Sequence, residues 1–385
     1  MNNFIYENKT KVYFGKGGVK EYLGSLLDRY GDTVMLAYGG GSIKRNGVYD
    51  EVMGILSARG KRVVEFAGIM PNPTYAKVQE GARLAQENHV DLILAVGGGS
   101  VSDCCKVVSA QAELTEDIWE MQYTKHTYPS KFIPLGTIVT VFGTGSEMNN
   151  GAVITHEEKR IKGALWGAQA EFAFLDPDYS LSVPFRQVIS GAFDTLSHAM
   201  ETYFGKPDEN NLSDDLSEAV MRSVIRNIRV LLTDHDSYEA RSELAWASAM
   251  AENGVLKIGK VTDFQCHQLE HQLGAYTDCN HGAGLAVIHP VLYRHIYKSG
   301  AARFARWAQN VWGIAPGDSD EKTAAAGIEA LAAFIREIGL PGTFAELGIP
   351  ADTDFRAITD STNITAGCCK KLTHDEIYEI LCECK

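Results

Sequence analysis

Asp194 and His198, four residues apart in GAFDTLSHAMETYF, and His267 and His281, in DFQCHQLEHQLGAYTDCNHGAG, form the set of side chains best suited to hold a metal ion. A carboxylate with imidazoles and no thiolate suits a divalent cation that keeps one position open for substrate, whereas closed structural sites favour cysteine. Such an ion does chemistry, because it draws charge from an oxygen presented to it. The apolar residues of Val188 to Tyr203 recur at three and four, so Asp194 and His198 are expected on one face of a helix about one turn apart. His267 and His271 repeat that spacing. His281 follows ten residues later, just before Gly282, where a turn into another helix is expected.

A second motif overlaps the first. His267, Gln268, Leu269, Glu270 and His271 spell H-x-x-E-H, the inverted zincin pattern in which both histidines bind zinc and the glutamate is the general base of a hydrolase. On these residues alone the two ligand sets stay open, and the elements upstream must decide between them.

The first half of the chain alternates short apolar runs with amphipathic patterns. Thr33 to Tyr38 reads as a strand ending in Gly39-Gly40-Gly41-Ser42, followed by a helix from Val48 to Arg59. Arg62 to Ala67 reads as a second strand, broken by Pro71-Asn72-Pro73 before a helix from about Thr74 to Asn88. Asp91 to Val96 is a third, ending in Gly97-Gly98-Gly99-Ser100, and Lys131 to Val141 a fourth, before Gly143-Thr144-Gly145-Ser146. That rhythm predicts a parallel sheet covered by helices on both faces. After Leu175-Asp176-Pro177-Asp178 helical periodicity takes over, as in Ser213 to Leu232, Tyr238 to Ala251 and Ala301 to Trp312. The expected division is therefore an α/β dinucleotide-binding domain over 1–182 and an all-helical metal-binding domain over 183–385, with the boundary near Leu181 to Pro184.

Two strands ending in GGGS place backbone N–H groups and a helix N-terminus where a phosphate can sit. In the second loop Ser100 adds a hydroxyl donor and is expected to cap the helix. Neither loop is G-x-G-x-x-G, so the ordinary Rossmann fingerprint is absent. The first loop contains no acidic residue to accept the 2′-hydroxyl of NAD, and Ser42, Lys44 and Arg45 could receive a 2′-phosphate, so NADP(H) is favoured over NAD(H).

A chain of 385 residues with 45% hydrophobic and 22% charged residues is an ordinary globular composition of two-domain size. Its net charge of −13 argues against nucleic acid and against an anionic membrane surface, both of which need clustered lysine and arginine. The start MNNFIYENKTKVYFGKG lacks a secretory pattern, and no apolar run approaches membrane-spanning length, so a cytoplasmic location is expected. Reduced thiols follow for Cys104, Cys105, Cys266, Cys279, Cys368, Cys369, Cys382 and Cys384, whose spacing does not repeat as in a zinc ribbon.

These pieces in this order resemble the iron-containing, or group III, alcohol dehydrogenase family, and within it the NADPH-dependent butanol dehydrogenase and aldehyde reductase branch. The likeness runs over nearly the whole chain: FGKGGV, YGGGS, PNPT, GGGSVSD with Lys106, Thr140 with TGSE, LDP, the Asp194 and His198 pair, and the H-x3-H-x9-HG run. It implies an N-terminal Rossmann-type domain of the dehydroquinate synthase kind, a helical C-terminal domain, a metal, Fe2+ or Zn2+, in the cleft between them, and a homodimer. By matching positions, Gly97, Gly98, Gly99 and Ser100 would hold the pyrophosphate, and Gly40 and Ser42 would face the adenosine ribose. Asn72 and Asp103 would line the cofactor cleft, Thr140 and Thr144 would touch the cofactor from the opposite wall, and Lys162, or Arg160 after a two-residue shift, would contact a ribose. Asp194, His198, His267 and His281 match the metal ligands, which leaves His271 beside nicotinamide and substrate and makes Glu270 an ordinary helix residue; His271, or a water it positions, is then the candidate for delivering the proton. The sequence departs from the family's usual pattern at Cys104, Cys105 and Phe142. Two other classes share parts of the pattern: a hydrolase built on Glu270, and a dinucleotide-dependent lyase or synthase of the dehydroquinate synthase type.

Overall fold

The apolar runs of the first half assemble as a six-stranded, all-parallel sheet in the computed structural model, which describes residues 1–365 and 369–385. The chain divides into two compact units, Glu7–Pro184 and Phe185–Lys385 with Met1–Tyr6. The first unit runs β1 (Lys11–Phe14), α1 (Gly18–Leu27), β2 (Thr33–Tyr38), α2 (Ser42–Arg45), α3 (Val48–Ala58), β3 (Arg62–Phe66), α4 (Tyr75–Asn88), β4 (Leu92–Gly97), α5 (Gly99–Gln111), β5 (Leu135–Val139), β6 (Gly151–His156), β7 (Ile161–Trp166) and β8 (Phe172–Leu175). The sheet order is β1-β8-β5-β4-β2-β3, and β6 and β7 form a separate antiparallel hairpin.

Strands β2, β4, β5 and β8 are buried along their full length, as parallel strands covered on both faces must be. Alternation then sorts their side chains. Val34, Leu36, Leu92, Leu94 and Val96 pack with Leu23, Val52 and Leu56 of α1 and α3, while Met35, Ala37, Ile93 and Ala95 pack with Val78, Ala82 and Val108 of α4 and α5. Each large aliphatic group so buried contributes about 1.5–3 kcal/mol. The topology positions ligands as well. From β2 the chain passes to β3 on one side and then crosses back to β4 on the other, which makes a topological switch point between β2 and β4. Both GGGS loops leave the carboxyl ends of these two neighbouring strands.

The second unit is helical: α6 (Phe185–Tyr203), α7 (Leu212–Thr233), α8 (Tyr238–Glu252), α9 (Gln265–Thr277), α10 (His281–Ile296), α11 (Ala301–Trp312), α12 (Asp320–Glu337), α13 (Phe344–Leu347), α14 (Phe355–Ser361) and α15 (His374–Glu383). Their apolar faces form one core that includes Phe193, Leu196, Met200, Leu269, Leu285 and Ile288. Met1–Tyr6 belongs to this unit, and the Asn2 amide donates to the Gly259 carbonyl at 3.0 Å. Among the described residues no helix is long and apolar enough to cross a membrane. Cys368 lies outside the described residues, and none of the seven described cysteines is in a disulfide.

Candidate metal centre and cofactor loops

Helix α6 carries Asp194 and His198 one turn apart on its buried face, α9 carries His267, and α10 begins at His281. Donor atoms of Asp194, His267 and His281 lie within 4.8 Å of one another, and His198 approaches the group beside Asp194. Asp194 Oδ1 lies 3.7 Å from His198 Nδ1, 3.5 Å from His267 Nε2 and 3.4 Å from His281 Nε2. Ligands about 2.1 Å from one shared ion in a tetrahedral set would be separated by roughly 3.4 Å, so the spacing fits a transition metal. The His198 ring stacks 4.5 Å from that of His267. Asp194 Oδ1, His198 Nδ1 and His267 Nε2 are all buried, and no hydrogen bond within the chain satisfies any of them. Buried polar atoms left in this way are costly, and a cation at their common focus would satisfy them together.

The far sides of two rings explain why the near sides face inward. His267 Nδ1 is hydrogen-bonded to Glu201 Oε2, and His281 Nδ1 to Glu270 Oε2. A carboxylate behind each imidazole fixes its tautomer and aims the other nitrogen at the centre. Glu201 is itself held by the Cys266 amide, which donates to its Oε1 at 2.7 Å. Glu270 is therefore not an ordinary helix residue; it is fully buried and hydrogen-bonded to His281. Burial opposes charge on every group here, yet the facing charges outweigh it in three of them. Asp194 is held well below the carboxylate range by His198 and His281, His267 is pushed up to about 10 by Glu201 and Asp194, and His281 is raised by Glu270 and Asp194. His198 goes down, because burial dominates there.

His271 lies one turn beyond His267 on α9, with its ring 5.9 Å from that of His267 and 5.5 Å from that of His281. Donor atoms of Glu270, His271 and His281 also lie within 4.8 Å of one another, as a separate group that does not include His267. His267 instead shares its donor cluster with Asp194 and His281, which is the pairing the first ligand set requires and H-x-x-E-H does not.

In the first unit Gly97 ends β4, Gly98 precedes α5 and Gly99 opens it. None of the three has a positive φ. A Cβ would instead meet Val101 Cγ2 at 2.5 Å from Gly97, Val141 Cβ at 3.1 Å from Gly98 and Thr144 Oγ1 at 2.2 Å from Gly99. Glycine is needed here because neighbouring chain approaches the loop, and the same nakedness exposes its amides. Ser100 does not cap α5, as its hydroxyl donates to the Pro71 carbonyl next to half-buried Asn72. The Thr140 amide donates to the Gly97 carbonyl at 2.9 Å, which brings the Thr140 to Thr144 loop alongside. Asp103 accepts from the Ser146 hydroxyl and, at 2.8 Å, from the Val153 amide, so one oxygen anchors a side chain and the other a strand backbone. Lys162 is buried in β7 opposite Thr155, while Arg160 occupies the hairpin turn with φ of 50°. Gly40 and Ser42 are exposed at the carboxyl end of β2.

Family models match on both sides of the division: iron-containing alcohol dehydrogenase over residues 9–177, and the C-terminal region of the Fe-containing alcohol dehydrogenase family over 188–384. The chain belongs to the iron-containing alcohol dehydrogenase family. It is 37% identical to the NADH-dependent butanol dehydrogenase A of Clostridium acetobutylicum, over 91% of each chain. It is 35% identical to the NADPH-dependent aldehyde reductase YqhD of Escherichia coli, over 91% of this chain and 90% of that one. The crystal structure of NADH-dependent butanol dehydrogenase A from Thermotoga maritima superposes with a TM-score of 0.94 at 34% identity, covering 100% of this chain and 99% of that one. As a member of the iron-containing alcohol dehydrogenase family the chain is an alcohol dehydrogenase or aldehyde reductase, and the hydrolase reading built on Glu270 is not favoured.

Sequence reasoning passed over Glu201, although a signal was present. Asp194, His198 and Glu201 follow one another at four and three, so the glutamate extends the stripe of buried ionisable residues on α6.

Proposed function

We propose that this member of the family transfers hydride reversibly between NADP(H) and the carbonyl carbon of an aldehyde, with a primary alcohol such as butanol as the reduced partner. The observation that carries the reading is the convergence of Asp194 Oδ1, His267 Nε2 and His281 Nε2 in one cluster, with buried His198 Nδ1 3.7 Å from the same Asp194 oxygen. Those four residues would hold a divalent ion, and their nitrogen and oxygen donors suit iron and zinc alike. When bound, the ion supplies Lewis acidity toward the substrate oxygen and the nicotinamide cofactor supplies or receives the hydride.

The rest falls to side chains. Glu201 and Glu270 keep His267 and His281 oriented. The amides of Gly97 to Ser100 and the start of α5 would receive the pyrophosphate, with Asn72, Thr140, Thr144 and Lys162 along the cofactor and Asp103 bracing the loop between Ser146 and Val153. His271 has its Nδ1 buried, and its other imidazole nitrogen would pass the proton that the carbonyl oxygen gains as hydride reaches carbon. Aldehyde, reduced cofactor and one proton then give alcohol and oxidised cofactor. Ser42, Lys44 and Arg45 support NADP(H), whereas relatives named for NADH and for NADPH both stand at 35–37% identity.

The test is absorbance at the reduced-nicotinamide band with butanal, using NADPH and NADH in turn, before chelation and after chelation with iron or zinc added back. Oxidation of the cofactor that depends on butanal, disappears on chelation and returns with metal supports the reading. Cofactor binding without turnover, or turnover indifferent to chelation, would overturn it.

A further inference from the structure

The first GGGS loop contains no carboxylate, but the fold supplies one from the neighbouring strand. Glu65 of β3 lies beside the end of β2, and three groups converge on it: the Tyr38 hydroxyl donates to Oε2, the Tyr49 hydroxyl to Oε1 at 2.8 Å, and Lys44 Nζ to Oε2 at 3.3 Å. The Lys44 ammonium also sits over both rings, 4.3 Å from the Tyr49 centroid and 5.1 Å from that of Tyr38. Hydrogen bonds from the two tyrosines hold the Glu65 carboxyl below its ordinary range, so it stands ionised opposite the lysine. The cluster is part-exposed, and it rises from the carboxyl ends of β2 and β3, on the flank of the switch point where an adenosine ribose would lie.

We propose that Glu65 is the residue that limits use of the 2′-phosphate: it engages Lys44, so that NADP(H) must compete with a carboxylate for that ammonium, while NAD(H) does not. This rests on the reading of the two glycine loops as a nicotinamide cofactor site. Glu65 is a positioning residue that acts through Lys44, and its effect belongs in cofactor affinity rather than in turnover. A 2′-phosphate offered a free Lys44 gains a charge-assisted bond at an exposed site, for which a change of about fivefold is expected.

The experiment uses the full-length, metal-loaded chain and four nucleotides: NADPH, NADH, 2′,5′-ADP and 5′-AMP. Dissociation constants are measured by fluorescence titration for wild type, Glu65→Gln, Lys44→Gln and the double variant, with KM and kcat for both cofactors. Glu65→Gln is expected to tighten NADPH and 2′,5′-ADP about fivefold, to leave NADH and 5′-AMP within twofold, and to lower KM for NADPH at constant kcat. Lys44→Gln, a change at an exposed side chain, is expected to weaken NADPH and 2′,5′-ADP and to erase the gain from Glu65→Gln. An NADPH to NADH ratio unmoved by Glu65→Gln, or a gain that persists undiminished without Lys44, would overturn the proposal while leaving the cofactor reading in place. A wild-type chain that binds neither dinucleotide would remove both.

Discussion

Glu270 offers the sharpest test of the metal centre. Its side chain is fully buried, and its Oε2 holds His281 Nδ1 so that Nε2 faces Asp194 Oδ1 at 3.4 Å. Replacement by glutamine keeps an oxygen of similar reach and removes the charge; replacement by leucine removes the acceptor altogether. A carboxylate behind a ligand histidine is worth about 10–100-fold in metal affinity, or roughly 1.4–2.7 kcal/mol. We therefore expect Glu270→Gln near the lower figure and Glu270→Leu near the upper one, because the leucine variant also leaves a buried imidazole N–H without its acceptor.

The assay is competition of the purified chain against a chromophoric zinc chelator, paired with melting temperatures at rising metal concentration. Binding to the folded state alone stabilises by RT ln(1 + [L]/Kd), so the metal-induced shift in melting temperature should shrink along the series wild type, Gln, Leu. Melting of the metal-free variants separates loss of affinity from loss of fold. At saturating metal Glu270→Gln should retain most aldehyde reduction, because the carboxylate orients a ligand and handles no substrate proton. Wild-type affinity in Glu270→Leu would refute the reasoning and leave packing as what aims His281. Loss of turnover in Glu270→Gln with affinity intact would instead favour a general-base role.

Three further outcomes are expected. His271→Phe should keep metal content and lower kcat by about 100-fold, within the range of general acid–base contributions; unchanged turnover by stopped-flow would remove His271 from proton transfer. Gly99→Ala would place a Cβ 2.2 Å from Thr144 Oγ1, so the loop must shift, and binding of NADH and NADPH should both weaken about tenfold in the same titrations. Glu147 is buried with its Oε1 lacking a hydrogen bond, and burial pushes its carboxyl up from the ordinary 4.5 to about 7. The folded chain then holds that proton more tightly than the unfolded chain, so stability falls as pH rises from about 4.5 to about 7 and stays lowered above it, by about 3 kcal/mol. Glu147→Gln should raise the melting temperature at pH 8 and change it little at pH 4.5, and an equal gain at both would place the effect elsewhere.

What the sequence disclosed and what it withheld follow from the range of the interactions involved. Asp194 and His198 were legible because helical periodicity places four-apart residues together whatever the rest of the chain does. The choice between His271 and His281 as the partner of His267 depends instead on how α9, α10 and α6 pack, and no local spacing encodes that packing. The long strands β2 and β4 announced themselves by continuous apolar runs, whereas β1 and β8, four residues each, are too short for any period to emerge. Glycine loops show the same divide. Their presence was visible, but their reason was not: Val101, Val141 and Thr144 crowd the positions where a Cβ would stand, and two of those three come from the segment after β5.

The charge at the first loop is the most instructive case. Read along the chain, Ser42, Lys44 and Arg45 form a basic turn with no counterion. Read across the sheet, β3 pairs in parallel with β2, Leu36 stands opposite Glu65, and the carboxylate lies within reach of Lys44. Parallel pairing routinely brings together residues separated by a whole crossover helix, so a cofactor preference inferred from one loop counts only the charges of that loop. If Glu65 acts through Lys44 as proposed, the preference of the site is a property of the strand pair, and a relative that keeps the GGGS loop but changes the residue at the Glu65 position should differ in its NADPH to NADH ratio even though its loop reads the same.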